Sequence, residues 1–268
     1  MSNAVTAQRP VAFVTGASRG IGRAIGIELA RAGFDIAGNA RTYDRSDMSR
    51  GLGELAARVE ELGGALLPVA GDVSDLALHE GFLSATMARF GRVDVLVNNA
   101  GAPARERRDV LETTVESYDR VQGVNARGPF FLTQRFAPAL MRQRETNDGS
   151  RQAIVFISSI SANTSSLNRA EYCVSKAALS QMAMVFAHRL APVGIRVYDV
   201  RPGIIRTDMT APVAEEYDEL IARGLVPQGR WGEPEDVGKA VAALACGALP
   251  YATGVAIELS GGMNIRRL

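Results

Sequence analysis

The sequence predicts an α/β fold, with a doubly wound parallel sheet of about seven strands and helices on both faces, in a single domain over residues 10–268. Short apolar runs alternate with longer segments of helical period, which is the pattern of repeated βαβ units. The runs are almost continuously apolar, as strands covered on both faces must be. With 268 residues, 47% of them apolar, the chain is long enough to bury a substantial core.

The predicted elements alternate regularly along the chain. The seven strands are Val11–Thr15, Phe34–Ala40, Ala65–Ala70, Val93–Asn98, Ala153–Ser158, Ile195–Val200 and Val255–Leu259. The six helices lie near 20–32, 50–62, 76–90, 115–141, 171–191 and 233–246. The last helix has a favourable start in Glu-Pro-Glu-Asp at 233–236, because an early proline loses no needed hydrogen bond and acidic residues oppose the N-terminal dipole.

Two segments do not fit this alternation. Residues 142–152 are polar and contain a glycine, so we expect an exposed loop. Residues 204–231 mix prolines and glycines with large apolar side chains, among them Met209, Leu225 and Trp231. This mixture predicts a partly helical flap that closes over a ligand, and the alternative is a surface helix packed on the sheet.

The charge and cysteine content limit the possible partners. The 30 lysines and arginines nearly balance the 29 aspartates and glutamates, so the net charge of +1 does not favour nucleic acid or an anionic membrane. Cys173 and Cys246 lack metal-ligand spacing and favour a reducing compartment. We therefore expect a cytoplasmic protein with no metal site, no nucleic-acid partner and no membrane span, and a flexible N-terminal segment at residues 1–9.

A glycine-rich turn joins the first predicted strand to the first helix, with the sequence Thr15-Gly16-Ala17-Ser18-Arg19-Gly20-Ile21-Gly22. At this position in a βα unit, free backbone N–H groups can bind a nucleotide pyrophosphate. The spacing G-x-x-x-G-x-G differs from the common G-x-G-x-x-G, but both allow a tight turn and a close approach of phosphate. A purely structural turn is the alternative.

The end of the second strand indicates which dinucleotide is bound. NAD-binding folds usually carry an acidic residue there, about 20 positions after the glycines, for the ribose hydroxyls. This chain instead reads Gly38-Asn39-Ala40-Arg41. Arg41 and Arg19 can both grip a ribose 2′-phosphate, which favours NADP(H) over NAD(H). If both arginines are only solvated surface charges, the cofactor is NAD(H).

Further motifs follow in order along the chain, each at the end of a predicted strand or on the adjoining helix. They are Gly71-Asp72-Val73, Asn98-Asn99-Ala100-Gly101, Val124-Asn125, Ser159, Tyr172, Lys176, and Pro202-Gly203 with Thr207. With the glycine turn, they make the chain resemble the short-chain dehydrogenase/reductase family from about Pro10 onward. The resemblance implies a Rossmann-like fold and an NAD(P)-dependent oxidoreductase acting on CH–OH and C=O groups.

The resemblance also implies where the cofactor binds. Asp72 and Val73 would contact the adenine, the Asn-Ala-Gly segment would line the cleft beside a ribose, and Ile205 and Thr207 would hold the nicotinamide carboxamide. The full cofactor set is Gly16, Ser18, Arg19, Gly20, Ile21, Gly22, Arg41, Asp72, Val73, Asn99, Ala100, Gly101, Tyr172, Lys176, Pro202, Gly203, Ile205 and Thr207. Taken one at a time, these motifs also fit loop caps and tight turns.

The implied catalytic residues are Asn125, Ser159, Tyr172 and Lys176. Tyr172 and Lys176 are four apart on one helix face, and a nearby ammonium should lower the pKa of a tyrosine that exchanges a proton with substrate. By the resemblance, Ser159 binds the substrate oxygen and Asn125 helps to position Lys176, partly through a water-linked proton path. Ser158 and Ser161 remain rivals to Ser159, and a buried structural asparagine is the alternative for Asn125.

The substrate is the least determined property. The overall pattern most resembles bacterial 3-oxoacyl-[acyl-carrier-protein] reductases, so the expected partner is a small carbonyl or alcohol substrate, carried on acyl-carrier protein or coenzyme A. Arg105, Arg107 and Arg108 would attract an acidic carrier, or they are a solvated loop. The alternatives are a sugar, polyol or other secondary-alcohol dehydrogenase and a non-catalytic dinucleotide sensor or scaffold. The helix at 177–186 is either a subunit contact of a homotetramer or homodimer or part of the core.

Overall fold

The computed structural model describes residues 8–146 and 151–267 and contains a seven-stranded sheet. In chain order the strands are β1 (Val11–Val14), β2 (Asp35–Ala40), β3 (Leu66–Ala70), β4 (Val95–Asn98), β5 (Ala153–Ile157), β6 (Arg196–Pro202) and β7 (Val255–Leu259). Every neighbouring pair is parallel, and the order across the sheet is β3-β2-β1-β4-β5-β6-β7. The strand order reverses between β1 and β4, which is where doubly wound sheets bind ligands.

The helices cover both faces of the sheet. They are α1 (Gly20–Arg31), α2 (Gly51–Glu61), α3 (His79–Phe90), α4 (Val115–Gln122), α5 (Gly128–Thr146), α6 (Ala170–Leu190), α7 (Ala214–Ala222) and α8 (Pro234–Ala245). Side chains of α1, α2 and α8 pack in one buried apolar cluster with the sheet, and those of α3, α5 and α6 pack in another. The structure thus confirms the predicted single Rossmann-like sheet with helices on both faces.

The start of α8 forms as its sequence predicts. Pro234 occupies the first helical position, and Glu233 and Asp236 form a reciprocal capping box around the free N–H groups. The Asp236 carboxylate also accepts a bond from Arg230, and this bond lowers the pKa of Asp236 below its usual range. The helix therefore begins at a defined residue beside the flap segment.

The predicted helix at 115–141 has two features that periodicity did not indicate. A single π-helical turn at Gly123–Arg127 separates α4 from α5, and it holds Asn125. The helix also continues to Thr146, so the exposed loop predicted for 142–152 is wrong over its first five residues. Polar residues continue the helix there because Gln143 accepts a hydrogen bond from the Val93 N–H at 3.1 Å. Residues 147–150 of that prediction lie outside the described residues.

Gln8 and Arg9 both make contacts with the folded domain. Gln8 donates to the Phe90 carbonyl, while Arg9 donates to the Ala30 and Phe34 carbonyls and pairs with Asp35 at 3.2 Å. The rest of the flexible segment predicted for residues 1–9, namely residues 1–7, lies outside the described residues. The domain boundaries at 10–268 stay a prediction.

Candidate active site

One large cleft opens at the carboxyl ends of the strands, and its volume is about 1640 Å³. Every residue of the predicted cofactor set lines this cleft, and so does Ser159. Asn125 is fully buried behind the wall. Ligand pockets usually measure about 300–1,000 Å³, so this cleft has room for a dinucleotide and a second molecule together.

The glycine turn after β1 needs glycine at three positions for identifiable reasons. Gly16 and Gly20 have φ angles of 65° and 51°, in the left-handed region that glycine adopts most readily. A Cβ on Gly22 would lie 2.1 Å from the Gly16 carbonyl oxygen and 2.5 Å from Asn99 Nδ2. The turn is therefore closed against the loop after β4.

The N-terminus of α1 faces the cleft without a side-chain cap. Arg19 precedes the helix and makes no capping bond, and the first turn contains no acidic residue. Backbone N–H groups at such an end carry a partial positive charge. The glycine turn and this helix end together fit the pyrophosphate of a dinucleotide.

Thr15 connects the glycine turn to the Asn-Asn-Ala-Gly segment. Its hydroxyl accepts hydrogen bonds from the N–H groups of Asn99 and Ala100, both at 2.9 Å, while Asn99 Nδ2 donates to the Thr15 carbonyl. The sequence analysis places Thr15 at the start of the glycine turn and assigns it no role. A polar threonine at the end of an otherwise apolar strand is the sequence feature that indicates one.

Asp72 and Val73, which the resemblance expects to contact the adenine, line the cleft. The Asp72 carboxylate accepts bonds from the N–H and hydroxyl of Ser74, so the loop-cap alternative describes real contacts of this side chain. The Val73 carbonyl is within 2.8 Å of His79 Nε2. This contact gives the buried His79 a structural role, and burial lowers its pKa below the usual value.

Arg41 lies at the end of β2, on the same wall of the cleft as Arg105 and Arg120. Burial, and then the charges of Arg105 and Arg41, lower the pKa of Arg120, while the Arg120 Nε atom is buried without a partner. Arg19 is more exposed and pairs with Asp208 at 3.4 Å. The positive charge around Arg41 therefore includes two arginines that sequence reasoning did not assign to the cofactor.

Tyr172 and Ser159 meet in the cleft. Ser159 follows β5, and its hydroxyl accepts a bond from the Ser161 N–H at 3.1 Å. A hydrogen bond between Ser159 and Tyr172 acts to lower the pKa of the tyrosine. Burial dominates, however, and raises the pKa of Tyr172 above its ordinary value of 10, with the nearby Arg169 as the largest opposing influence. The expectation that the lysine ammonium lowers this pKa is therefore not met.

Lys176 lies one turn after Tyr172 on α6 and is buried. Its Nζ atom donates to the Ile157 carbonyl at 2.9 Å and lies 5.6 Å from the centre of the Tyr172 ring. Burial lowers the pKa of Lys176 to about 8, and Asp199 partly opposes this decrease. The amine thus loses its proton about two units below the ordinary tyrosine value.

Asn125 holds the loop after β4 against α6. Its Nδ2 atom donates to the Ala102 carbonyl and the Ser175 hydroxyl, and its Oδ1 atom accepts from the Ala102 N–H at 2.7 Å. Among the described residues, it makes no hydrogen bond to Lys176. The π-helical turn thus places Asn125 as a link between two walls, and the water-linked path of the resemblance stays a prediction.

The structure distinguishes Ser158 from Ser159 by their hydrogen-bond partners. The Ser158 hydroxyl donates to the Asp199 carboxylate below the cleft, whereas Ser159 bonds to Tyr172. Asp199 also accepts from Ser180 Oγ at 2.7 Å and from Arg201 Nε at 2.8 Å. The sequence does not indicate this buried network beneath the candidate catalytic residues, because Asp199 and Arg201 alternate along a strand with no motif of their own.

The segment after β6 closes the cleft opposite the glycine turn. A Cβ on Gly203 would lie 2.7 Å from the Ser260 Cα, so glycine allows the strand end to pass close to the chain after β7. The Thr207 N–H donates to Thr210 Oγ1, and the Thr207 side chain lies close to Gly20 of the glycine turn. Pro202, Gly203, Ile205 and Thr207 are thus next to the expected path of the cofactor.

Comparison with known proteins identifies the family. A family model described as enoyl-(acyl carrier protein) reductase matches residues 16–264. The chain belongs to the short-chain dehydrogenase/reductase family. It is therefore an oxidoreductase that acts on CH–OH and C=O groups.

Three proteins similar to this short-chain dehydrogenase/reductase carry the names of two kinds of enzyme. A structure of 3-oxoacyl-[acyl-carrier protein] reductase from Brucella melitensis in complex with NAD is 44% identical, with a TM-score of 0.92 over 98% of this chain and 100% of that chain. L-rhamnose 1-dehydrogenase (NAD(P)(+)) from Azotobacter vinelandii is 37% identical over 94% of this chain and 96% of its own. A Staphylococcus aureus 3-oxoacyl-[acyl-carrier-protein] reductase is 33% identical over 94% and 97%.

The flap of this short-chain dehydrogenase/reductase is partly helical, as its sequence predicts. A 3₁₀ turn at Ala211–Val213 leads into α7, and a small apolar cluster of Ile204, Ile221, Val226 and Trp231 holds the segment together. Tyr217 packs edge-on against Trp231 and lines the cleft. Closure over a ligand stays a prediction.

Within residues 8–146 and 151–267, no group of three or more histidine, cysteine, aspartate or glutamate side chains could hold a metal ion. None of the helices described there has the length and hydropathy to cross a membrane. Both cysteines are free thiols.

Proposed function

We propose that this protein is an NADP(H)-dependent reductase that converts a 3-oxoacyl thioester to the corresponding 3-hydroxyacyl thioester. The observation that carries the chemistry is the pairing of Tyr172 with Ser159 in the same cleft as the glycine turn. A dinucleotide lying across the carboxyl ends of the strands would bring its nicotinamide beside this pair. The relatives named above supply the substrate class.

The glycine turn, the open end of α1 and the segment at 202–207 are the residues that would hold the cofactor. When bound, the nicotinamide supplies a hydride to the carbonyl carbon. Tyr172 donates its hydroxyl proton to the carbonyl oxygen, which becomes the alcohol. In the oxidative direction, the same oxygen accepts that proton.

Ser159 and Lys176 support this proton transfer in different ways. The Ser159 oxygen accepts a bond from the Ser161 N–H, so its own hydrogen is the donor: it bonds to Tyr172 in the free protein and would bind the substrate oxygen as negative charge develops there. Lys176 is fixed by the Ile157 carbonyl and keeps donors for the cofactor side of the cleft. Asn125 holds the loop and helix that flank both residues.

The preference for NADP(H) is supported by the charge around Arg41. No carboxylate lies at the end of β2, while Arg41, Arg105 and Arg120 line one wall and Arg120 Nε lacks a partner. A 2′-phosphate bound there would relieve the repulsion among these guanidinium groups and give each a charge-assisted bond. Arg19 would bind the same phosphate in place of Asp208, with which it forms an exposed ion pair.

The cofactor proposal is tested by Arg41→Ala. We expect the NADPH dissociation constant to rise about 10- to 100-fold, which corresponds to the loss of a hydrogen bond to a charged group. The NADH dissociation constant should stay within about threefold, since NADH lacks the 2′-phosphate. Arg45→Ala removes an exposed arginine of the same loop outside the cleft and serves as the matched control. An unchanged NADPH dissociation constant in Arg41→Ala would refute the assignment.

The substrate proposal is tested with a panel of 3-oxoacyl thioesters, sugars and simple ketones or alcohols, followed by cofactor absorbance in both directions. We expect the highest kcat/KM for a 3-oxoacyl thioester. Arg105 and Arg107 lie at the cleft and would attract an acidic carrier protein. Higher kcat/KM for a sugar would establish the second candidate, a sugar or polyol dehydrogenase, which the 37% identity to L-rhamnose 1-dehydrogenase favours. No turnover of any class would favour a dinucleotide sensor.

We further infer a homotetramer in the cytoplasm. Tyr118, Phe131, Val174 and Val185 are exposed apolar side chains on α4, α5 and α6. A second apolar patch at Leu249, Tyr251 and Val255 lies beside the edge strand β7. Two separate patches fit a dimer of dimers. Light scattering coupled to size-exclusion chromatography should give four times the 28.6 kDa chain mass.

A further inference from the structure

Arg169 directs a positive charge at the catalytic tyrosine from the open side of the cleft. It immediately precedes α6, three residues before Tyr172, and its guanidinium carbon lies 5.8 Å from the centre of the Tyr172 ring. The side chain lines the cleft and is partly exposed. Within the described part of the chain, its guanidinium makes no hydrogen bond and no ion pair, and its recorded contact is with the Tyr172 ring.

The position is also unfavourable for helix stability. Arg169 is the N-cap residue of α6 and makes no capping bond. A cation at a helix N-terminus adds to the positive end of the helix dipole, where an acidic or neutral polar residue is favoured. Among residues 8–146 and 151–267, neither capping nor an ion pair accounts for an arginine here, and its contact with the ring holds the guanidinium beside the phenol. An anion that forms in the cleft would account for it.

Lys176 cannot supply this charge over the whole pH range of the reaction. It faces the ring from the buried side, and burial lowers its pKa to about 8. Burial also raises the pKa of Tyr172 above 10, so in the free protein the amine becomes neutral before the phenol ionises. A guanidinium stays protonated throughout this range.

We propose that the Arg169 guanidinium stabilises the negative charge that forms on the Tyr172 oxygen when this tyrosine gives up its proton, so that Arg169 supplements Lys176 as the positive charge of the acid–base site. This inference rests on the proposed role of Tyr172 in proton transfer. The other groups that act on Tyr172 are Ser159 through a hydrogen bond, Lys176 over the ring, and the more weakly interacting Cys173 and Tyr217. None of them carries a permanent positive charge. Arg169 acts through Tyr172 and is a positioning residue.

The direct test is an NMR titration of Tyr172 in the full-length protein labelled with [¹³Cζ]tyrosine, with the signal identified by its loss in Tyr172→Phe. In Arg169→Gln, the Tyr172 midpoint should move to higher pH by about half a unit to one unit, the effect of one charge at this distance in a partly solvated cleft. Arg169→Lys should restore the wild-type midpoint only in part, because a lysine with an ordinary pKa of about 10.4 loses its charge in the range where Tyr172 titrates. Arg189→Gln removes an exposed charge from the far end of α6 and should leave the midpoint unchanged.

An Arg169→Gln midpoint equal to that of wild type, in protein with unchanged circular dichroism, would overturn the proposal. Should Arg169→Gln fail to fold, Arg169→Met replaces the guanidinium by an apolar chain and answers the same question. The titration needs no substrate, so it decides the role of Arg169 even where the substrate panel refutes thioester reduction. For the ketone that the panel shows to be reduced, the basic limb of the kcat profile should move upward with the NMR midpoint.

Discussion

Asp199→Asn tests whether the buried network below the cleft stabilises the protein and adjusts the site. The substitution keeps the shape of the side chain and removes its charge. Asp199 is 3% exposed and Arg201 16% exposed, and the pair is joined at 2.8 Å. Ser158 and Ser180 also donate to this carboxylate. After the substitution, hydrogen-bond donors face both the oxygen and the nitrogen of the side-chain amide, and the nitrogen cannot accept a bond. Arg201 keeps Glu258 as its acidic partner.

The expected loss follows from these contacts. Removing one member of a buried ion pair costs about 3–5 kcal/mol, and the remaining pair with Glu258 offsets part of this, so we expect the free energy of unfolding to fall by about 2–3 kcal/mol. For a chain of this size, that lowers Tm by about 5–10 °C. Losing the charge also removes the influence that raises the pKa of Lys176, so this pKa should fall further below 8.

Differential scanning calorimetry measures the first effect, and the pH dependence of kcat measures the second. Glu61→Gln is the control, because Glu61 forms an exposed pair with Arg58 that should contribute less than about 1 kcal/mol. A Tm of Asp199→Asn within 2 °C of wild type, as a rough limit, would refute the argument that the network is an energetically coupled unit.

Two further predictions concern the cofactor cradle and the lysine. Gly22→Ala should raise the dissociation constants of NADPH and NADH alike by at least about tenfold and lower Tm, because the new Cβ would lie 2.1 Å from the Gly16 carbonyl oxygen. Isothermal titration of each cofactor checks this, and Gly81→Ala, in α3 with open space around the new Cβ, should bind both normally. Lys176→Met should gain stability relative to wild type at pH 7 and lose this gain as pH rises from about 8 to 10.5. The buried amine has a lower pKa in the folded state than in the unfolded state. Holding the amine in its charged form therefore lowers the stability of the wild type most at pH values below about 8. The difference between the two pH limits should be about 3 kcal/mol in urea unfolding, and a gain that does not depend on pH would contradict the assigned cause.

The sequence predicts the sheet and the cleft well because both depend on local patterns. Each strand is a short apolar run, and the site motifs follow strand ends or lie on the adjoining helices, so the topology brings them to one edge of the sheet. The family spacing alone selects Ser159, Tyr172 and Lys176, and the structure places all three at one cleft. The structure also gives Ser158 a different partner, because its hydroxyl bonds to Asp199.

The parts that sequence reasoning missed depend on tertiary contacts. The pKa of Tyr172 was expected to fall because a lysine lies one turn away, but the burial of both groups outweighs that charge. The extension of α5 to Thr146 depends on the contact of Gln143 with Val93, 50 residues away. The basic wall of Arg41, Arg105 and Arg120 is assembled from three separate segments, so no local motif indicates it.

The central claim is that Tyr172 exchanges the proton in a ketone–alcohol conversion beside the bound dinucleotide. Tyr172→Phe removes only the hydroxyl group, so kcat should fall at least about 100- to 10,000-fold, as expected for the loss of a general acid. The NADPH dissociation constant, measured on the same preparation by fluorescence, should stay within about threefold of wild type. Near-normal turnover in Tyr172→Phe with NADPH bound would contradict the account.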